Sequence, residues 1–419
     1  MKNLKLLVAG LVLLSFTTSA SASVPNQTNI VTLKLIMTSY SDQMASFYTS
    51  LKQGFESANP NIKVEIELVP RSDVATKVKN SILAGESPDI VNNDEFLEEA
   101  SAALLYRADQ LVTSEVLKDF FPTLVDNSKY KGTAYALPAS ASTNAFAWNT
   151  KLLKSSGVKK APTSWTSFLT AAKAIKKKHP DIYPYCLPLD PTTAVTTLTT
   201  WGGLNGGRLY SEKSGKYLIN TKDFKGGIDF LKTMADQKLI QPNPSKTDNL
   251  DPANGCWALF AAGKVAMIES DPLLPGWLKS NGGSAIEFRQ GEFPVPSGKK
   301  SISVGTQEYF KGFRANGRQV EIQKFLNFLF EPNNYQGYLQ AAGAYLPSTK
   351  SVGQLVASDS QIAPFIKQLS SVIFPPTSLK SWAKCESALT GNAATVLANT
   401  NRALTNMQAK CDAAIRKAS

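Results

Sequence analysis

The stretch VTLKLIMTSYSDQMASFYTSLKQGFESANPNIKVEIELVPRSDVATKVKNSILAGESPDIVNND, residues 31–94, decides the fold. Val31 to Met37 alternates apolar and polar residues and then runs apolar, as a core strand does. Met44, Phe47, Tyr48, Leu51 and Phe55 recur at helical spacing, and Asn59-Pro60 ends that helix. Ile62, Val64, Ile66 and Leu68 then alternate with Lys63, Glu65 and Glu67, the pattern of a half-exposed strand. Ser72 or Asp73 is placed to cap a second helix with Val74, Val78, Ile82 and Leu83 facing inward, and Gly85 to close it in a left-handed turn. Pro88 opens a short strand, Asp89-Ile90-Val91. This β-α-β-α-β order predicts a parallel sheet covered by helices.

In open sheets of this kind ligands bind beyond the carboxyl ends of the strands. Three polar segments fall there: Thr38-Ser39-Tyr40-Ser41, Pro70-Arg71-Ser72-Asp73 and Asn92-Asn93-Asp94-Glu95. Tyr40, Ser41, Arg71, Asp94 and Glu95 are therefore candidate binding residues. Asp94 and Glu95 are acceptors for ligand hydroxyls, with helix capping as the competing role. Arg71 is a partner for an anionic group or, equally, a surface residue.

Further along, Tyr135 to Pro138 is extended and Ala139 to Thr143 is all small, before Phe146-Ala147-Trp148 resumes a strand. Small residues in an extended segment suit a hinge between two lobes. A second α/β region follows. It has expected helices at 165–178, capped by Thr163 or Ser164, and at 222–236 and 255–263. A buried strand, Val265 to Ile268, leads into Glu269-Ser270-Asp271. Residues 201–207 read as a glycine-rich loop, 287–295 as a crossing strand, 319–330 as a helix and 381–417 as helical.

The N-terminus carries Lys2 and Lys5, an apolar run of eleven residues from Leu6 to Phe16, and Ala20-Ser21-Ala22 as a cleavage signal. Residues 1–22 are expected to be a signal peptide, and with no cysteine at the junction a lipid anchor is not expected. Release into an enclosed space implies the periplasm. The chain of 419 residues is too long for one core and implies two domains. The formal charge of +12 is spread along the sequence apart from Lys176-Lys177-Lys178 at a helix end, so a solvated face is favoured over nucleic acid. Cys186, Cys256, Cys385 and Cys411 include no CxxC pair and suit an oxidising compartment. Four cysteines allow three pairings. Cys385 and Cys411 share one helical stretch and are expected to join, leaving Cys186 for Cys256.

Catalysis finds little support. The lone histidine, His179, sits in a helix-ending loop, and no GxSxG, P-loop or GxGxxG is present. No cofactor or metal is expected, and the protein is read as a binding protein, not an enzyme.

The segments AGESPDIV (84–91), YALP (135–138) leading to WNTKLL (148–153), APTSW (161–165), LFAAGKVAM (259–267) and GAYLP (343–347) run in family order along the chain. Together they resemble the extracellular solute-binding proteins of carbohydrate ABC importers, the group that holds the maltose- and glycerol-3-phosphate-binding proteins. The resemblance implies an α/β, two-lobed periplasmic-binding-protein fold with three hinge crossings and an interlobe ligand cleft. Lobe one is expected at 24–139 plus 288–328 and lobe two at 140–287 plus 329–419. The implied function is capture of a sugar and its delivery to membrane permease subunits, by a monomer. The alternatives are a glycerol-3-phosphate or glycerophosphodiester ligand, or a periplasmic carbohydrate-active enzyme.

The same resemblance places ligand contacts at Glu95, Ser142, Gly305, Tyr345 and either Ser270 or Asp271, and Asn144 stands beside Ser142. It departs from the glycerol-phosphate members at Pro375 to Trp382, where no arginine aligns. A sugar ring stacks on a flat indole, so Trp201 and Trp257 are candidate platforms, against core packing as the alternative. Asp271, before Pro272, is a candidate hydroxyl acceptor or a helix cap.

Overall fold

The computed structural model describes residues 30–343, 345–377 and 379–418. The expected signal peptide lies outside the described residues. Naming the longer elements in chain order, β1 (Val31–Ser39), β2 (Ile62–Pro70) and β3 (Ile90–Asn93) alternate with α1 (Gln43–Ala58) and α2 (Val74–Leu83). β1 lies between β2 and β3, parallel to both, as the sequence pattern predicts. Gly85 has φ +76, the left-handed conformation that ends α2.

The chain then leaves this sheet. β4 (Leu137–Thr143) runs through Asn144 into β5 (Ala145–Asn149), which belongs to a second sheet. α3 (Trp165–Lys178) follows, its first turn capped by the Ser164 hydroxyl, which accepts the Ser167 N–H at 3.1 Å. β6 (Tyr183–Tyr185), α4 (Ala194–Leu204), α5 (Lys222–Asp236), α6 (Cys256–Ala261), β7 (Val265–Ser270) and β8 (Phe288–Gly291) complete the second unit. Its strand order is β8-β5-β7-β6.

β9 (Ser303–Gly312) returns to the first sheet, antiparallel to β3 on one side and to β4 on the other. α7 (Gln319–Leu329), α8 (Pro332–Ala342) and β10 (Val372–Ile373) follow, β10 pairing with the start of β9. α9 (Trp382–Val396) and α10 (Thr400–Ala418) close the chain.

Each sheet has its own core, so the molecule is two-lobed. One core joins Leu33, Met37, Phe55, Phe310, Phe325 and Tyr338, and another joins Phe168, Leu198, Trp201, Phe224, Leu389 and Met407. The expected lobe limits need three corrections. Residues 140–143 pair with β9 and stay in the first sheet, whereas 288–291 pair with β5 in the second. Residues 329–373 pack with lobe one, because α8 turns its apolar face onto α1. There Phe47 and Tyr338 lie 6.0 Å apart, and the Tyr335 hydroxyl donates to the Ala139 carbonyl at 2.8 Å. Only α9 and α10 return to lobe two, where Trp382, Leu389 and Leu404 enter its core.

Both disulfides form as expected, Cys186 with Cys256 and Cys385 with Cys411. The first ties the end of β6 to the start of α6, and the second ties α9 to α10. Residues 201–207 depart from expectation: Trp201 to Leu204 are the last turn of α4, not a loop. The glycines serve packing there, since a Cβ on Gly227 would lie 2.0 Å from the Trp201 carbonyl oxygen, so α4 and α5 touch backbone to backbone.

Candidate functional site

Tyr40, Arg71 and Asp94 stand just past the carboxyl ends of β1, β2 and β3, as the parallel order requires. They meet over a residue that sequence reasoning missed, Glu308 of β9. The Arg71 guanidinium donates through Nη2 to Asp94 Oδ2 at 2.9 Å and lies 2.8 Å from Glu308 Oε1. The Tyr40 hydroxyl donates to Glu308 Oε2 at 3.0 Å. The Tyr345 ring meets Tyr40 edge-on, with centroids 5.3 Å apart. Ser41 faces away, its hydroxyl donating to the Ala341 carbonyl at 2.6 Å.

Glu308 is buried, and burial pushes its carboxyl up to about 7. The Arg71 cation opposes that shift and the Asp94 anion adds to it. Burial and then Glu308 likewise raise the Tyr40 phenol well above its ordinary range. Arg71, Asp94 and Glu95 are exposed at the rim. Glu95 is raised first by partial burial and then by Asp94, with Lys311 opposing. Neither Asp94 nor Glu95 caps a helix, since the next helix starts at Leu97 with Phe96 at its cap position.

Where β4 passes into β5, Ser142 and Asn144 are half-buried, and the Asn144 N–H donates to the Val304 carbonyl at 3.2 Å. Gly305 sits opposite Thr143, and a Cβ there would fall 2.6 Å from the Ser142 carbonyl oxygen. This close backbone approach accounts for glycine at the position.

In lobe two the two tryptophans are not platforms. Trp201 has no exposed surface and is enclosed by Trp165, Phe168, Tyr185, Phe230 and Phe293. Its indole N–H donates to Glu269 Oε1 at 3.1 Å. Trp257 is equally buried and donates to the Glu269 carbonyl at 3.1 Å. Trp201 fills the core because α4 is buried almost all round, and Trp257 because it lies on the buried face of α6 with Cys256 and Phe260. Asp271, half-buried just past β7, accepts the Leu273 N–H at 2.7 Å and turns the chain. Burial pushes its carboxyl up to about 6, against the two backbone N–H groups it faces.

The structure thus brings Tyr40, Arg71, Asp94 and Tyr345 together. It sets Glu95, Ser142, Asn144, Gly305 and Asp271 at strand ends or at the passage between lobes. It withdraws Trp201 and Trp257 into the core. Glu308 carried one sequence signal, a lone acid within the strand SVGTQEYFKG, since a buried charge needs a partner. That partner, Arg71, lies far away in sequence. Among the described residues no three His, Cys, Asp or Glu side chains gather as a metal set, and no helix is long and apolar enough to cross a membrane.

The polar array thus stands at the carboxyl ends of the parallel strands in one lobe of a two-lobed α/β chain. Residues 38–336 match the family of bacterial extracellular solute-binding proteins, and the chain belongs to that family. It is 24% identical over 423 residues, 98% of each chain, to a protein of Brucella abortus (strain 2308) named only as a binding protein. It is 25% identical over 336 residues, 73% of each chain, to the multiple sugar-binding protein of Streptococcus mutans serotype c. The cyclic alpha-maltosyl-1,6-maltose binding protein of Arthrobacter globiformis shares the fold, with a TM-score of 0.78 at 16% identity over 93% of this chain and 100% of that one.

Proposed function

We propose that the protein captures a sugar, from mono- to oligosaccharide, in the cleft between its lobes. It then delivers the sugar unchanged to the membrane permease subunits of an ABC importer. It works as a monomer in the periplasm once residues 1–22 are removed. The observation that carries this reading is the convergence of Tyr40, Arg71, Asp94, Glu308 and Tyr345 at one sheet edge. Hydroxyl groups of a sugar find a carboxylate acceptor in Asp94 and guanidinium donors in Arg71. The Tyr345 and Tyr40 rings supply the apolar contact that Trp201 does not. Glu95, Ser142, Asn144, Gly305 and Asp271 complete the wall. The names of a multiple sugar-binding protein and a cyclic alpha-maltosyl-1,6-maltose binding protein among its relatives support the ligand class.

The passages between sheets, at Asn144, between β8 and β9, and after β10, act as three hinges about which the lobes close. A thermal-shift screen of mono-, di- and oligosaccharides, polyols and glycerophosphodiesters tests the reading. A cognate sugar raises the melting temperature by mass action. It also lowers the radius of gyration in small-angle scattering. A panel in which no sugar moves either quantity, or in which a sugar is cleaved, overturns it.

A further inference from the structure

We infer that Glu308 makes the cleft selective for uncharged ligands by withdrawing Arg71 from service as an anion receptor. This rests on the reading of the cleft as a solute site and adds which solutes it refuses.

Arg71 is the cation that this array offers to solvent. Lys311, on the same strand as Glu308, is buried and paired with Glu99 at 2.7 Å. A free arginine at the carboxyl end of a parallel sheet is well made for phosphate or carboxylate, because its planar fork presents parallel N–H groups. Here that fork is spoiled. Nη2 is held between Asp94 Oδ2 at 2.9 Å and Glu308 Oε1 at 2.8 Å. An anion approaching the guanidinium therefore meets two carboxylates already in contact with it.

The two acids act differently. Asp94 is exposed at the rim, where solvent and salt screen its charge. Glu308 is almost fully buried, with only 3% of its side chain accessible, so its field on Arg71 is weakly screened. The Tyr40 hydroxyl holds its other oxygen and fixes the carboxylate plane. A neutral polyol escapes this exclusion, since it brings hydroxyl donors to the acids and acceptors to the unused guanidinium N–H groups. Tyr40, Tyr345, Tyr309 and Tyr338, the phenols within reach of the Glu308 charge, are neutral at physiological pH, all raised first by burial.

The test uses the full mature protein, wild type and Glu308→Gln, with sulfate as a probe that needs no sugar. D-glucose and D-glucuronate, which differ by one carboxylate, serve as the paired sugar probes, with maltotriose beside them. Binding is followed by calorimetry at low salt and at pH 8.5, well above the value of about 7 to which burial raises the Glu308 carboxyl, so that it is ionised throughout. Glu308→Gln should gain roughly tenfold or more in sulfate affinity over wild type. It should also shift preference from glucose toward glucuronate if either sugar binds. Asp94→Asn, which removes the solvent-screened acid from the same guanidinium, should gain less and serves as the second variant, read by sulfate alone, should Glu308→Gln fail to melt cooperatively. Equal sulfate affinity in wild type and folded Glu308→Gln overturns the inference, as does no sulfate gain in Asp94→Asn where Glu308→Gln does not fold. If no sugar binds wild type while sulfate distinguishes the variants, the sugar reading fails and the charge filter stands. If sugar binds wild type and sulfate does not distinguish them, the reverse holds.

Discussion

Trp201 donates its indole N–H to Glu269 Oε1 at 3.1 Å, in a core where neither side chain reaches solvent. Tyr185 donates to the same oxygen at 3.2 Å, and Thr197 reaches Oε2 at 3.4 Å. Burial still pushes the Glu269 carboxyl up to about 7, against these three hydrogen bonds. The folded state therefore binds this proton more tightly than the unfolded chain, where an ordinary glutamate titrates near 4.5. The stability this group allows is full below about pH 4.5 and is lost as pH rises through 7. Glu269→Gln keeps an acceptor and removes the charge. Its stability relative to wild type should improve by roughly 2–3 kcal/mol between pH 5 and pH 8. Urea unfolding at the two pH values checks this, and a difference independent of pH would show that Glu269 titrates normally in the fold.

The disulfides should contribute unequally. Cys186 and Cys256 are 70 residues apart, and Cys385 and Cys411 are 26 apart. Loop-closure entropy assigns roughly 4 kcal/mol to the first and 3.5 to the second as upper guides. The shorter loop is also held by direct packing of α9 on α10. Replacing Cys186 and Cys256 by alanine should lower the denaturation midpoint more than replacing Cys385 and Cys411. Paired denaturation curves of the two double variants settle the order.

Much of lobe one was legible in the sequence because its strands and helices are amphipathic. β2 alternates Ile62, Val64 and Leu68 with charged residues, and α1 carries one apolar stripe. The strand-end rule put Tyr40, Arg71 and Asp94 just past three strands, and the structure has them there, one residue beyond β1, β2 and β3. α4 was illegible for the opposite reason. Its sequence AVTTLTTWGGL is buried almost all round, so no periodicity marks a face, and its two glycines look like a loop until α5 is seen pressed against them. α8 was not among the expected helices, and only the packing of Phe47 and Tyr338 shows that it docks on α1. Glu308 stayed hidden because its partners come from β1, β2 and β3, and no local pattern encodes a contact made by topology.

Gly305 is expected to be intolerant of any side chain, although its backbone conformation is ordinary. A Cβ would stand 2.6 Å from both the Ser142 carbonyl oxygen and Val372 Cγ2, so β9 would have to move off β4 or β10. Gly305→Val should destabilise the protein by about 1–3 kcal/mol, the usual cost of overpacking. Because the displaced strand is where the chain passes between lobes, the variant should also change the scattering radius of gyration of the free protein. Unaltered stability and scattering would mean that the two strands can slide apart freely at this point.

The aromatic contact to ligand should run through Tyr345 and Tyr40, and tryptophan substitution separates this from the earlier expectation. Tyr345 is half-buried in loop residues following α8, and its ring touches Tyr40 from the edge. Tyr345→Ala removes a half-buried ring that meets the lobe-one core only at its margin. Sugar affinity should fall by about 1 kcal/mol or more, the scale of one aromatic contact, with the melting temperature of free protein nearly unchanged. Tyr40→Phe keeps the ring and removes the donor to Glu308 Oε2. Affinity should fall by roughly 1 kcal/mol as the carboxylate loses its orientation. Trp201→Ala should do the reverse, costing about 3–5 kcal/mol of stability as a large core side chain is deleted. The sugar affinity of whatever fraction remains folded should stay near that of wild type. Calorimetry on folded protein, paired with thermal melts, reads both quantities for all three variants. A Trp201→Ala protein that melts like wild type and loses sugar would return the indole to the binding surface, because only a side chain outside the core combines those two results.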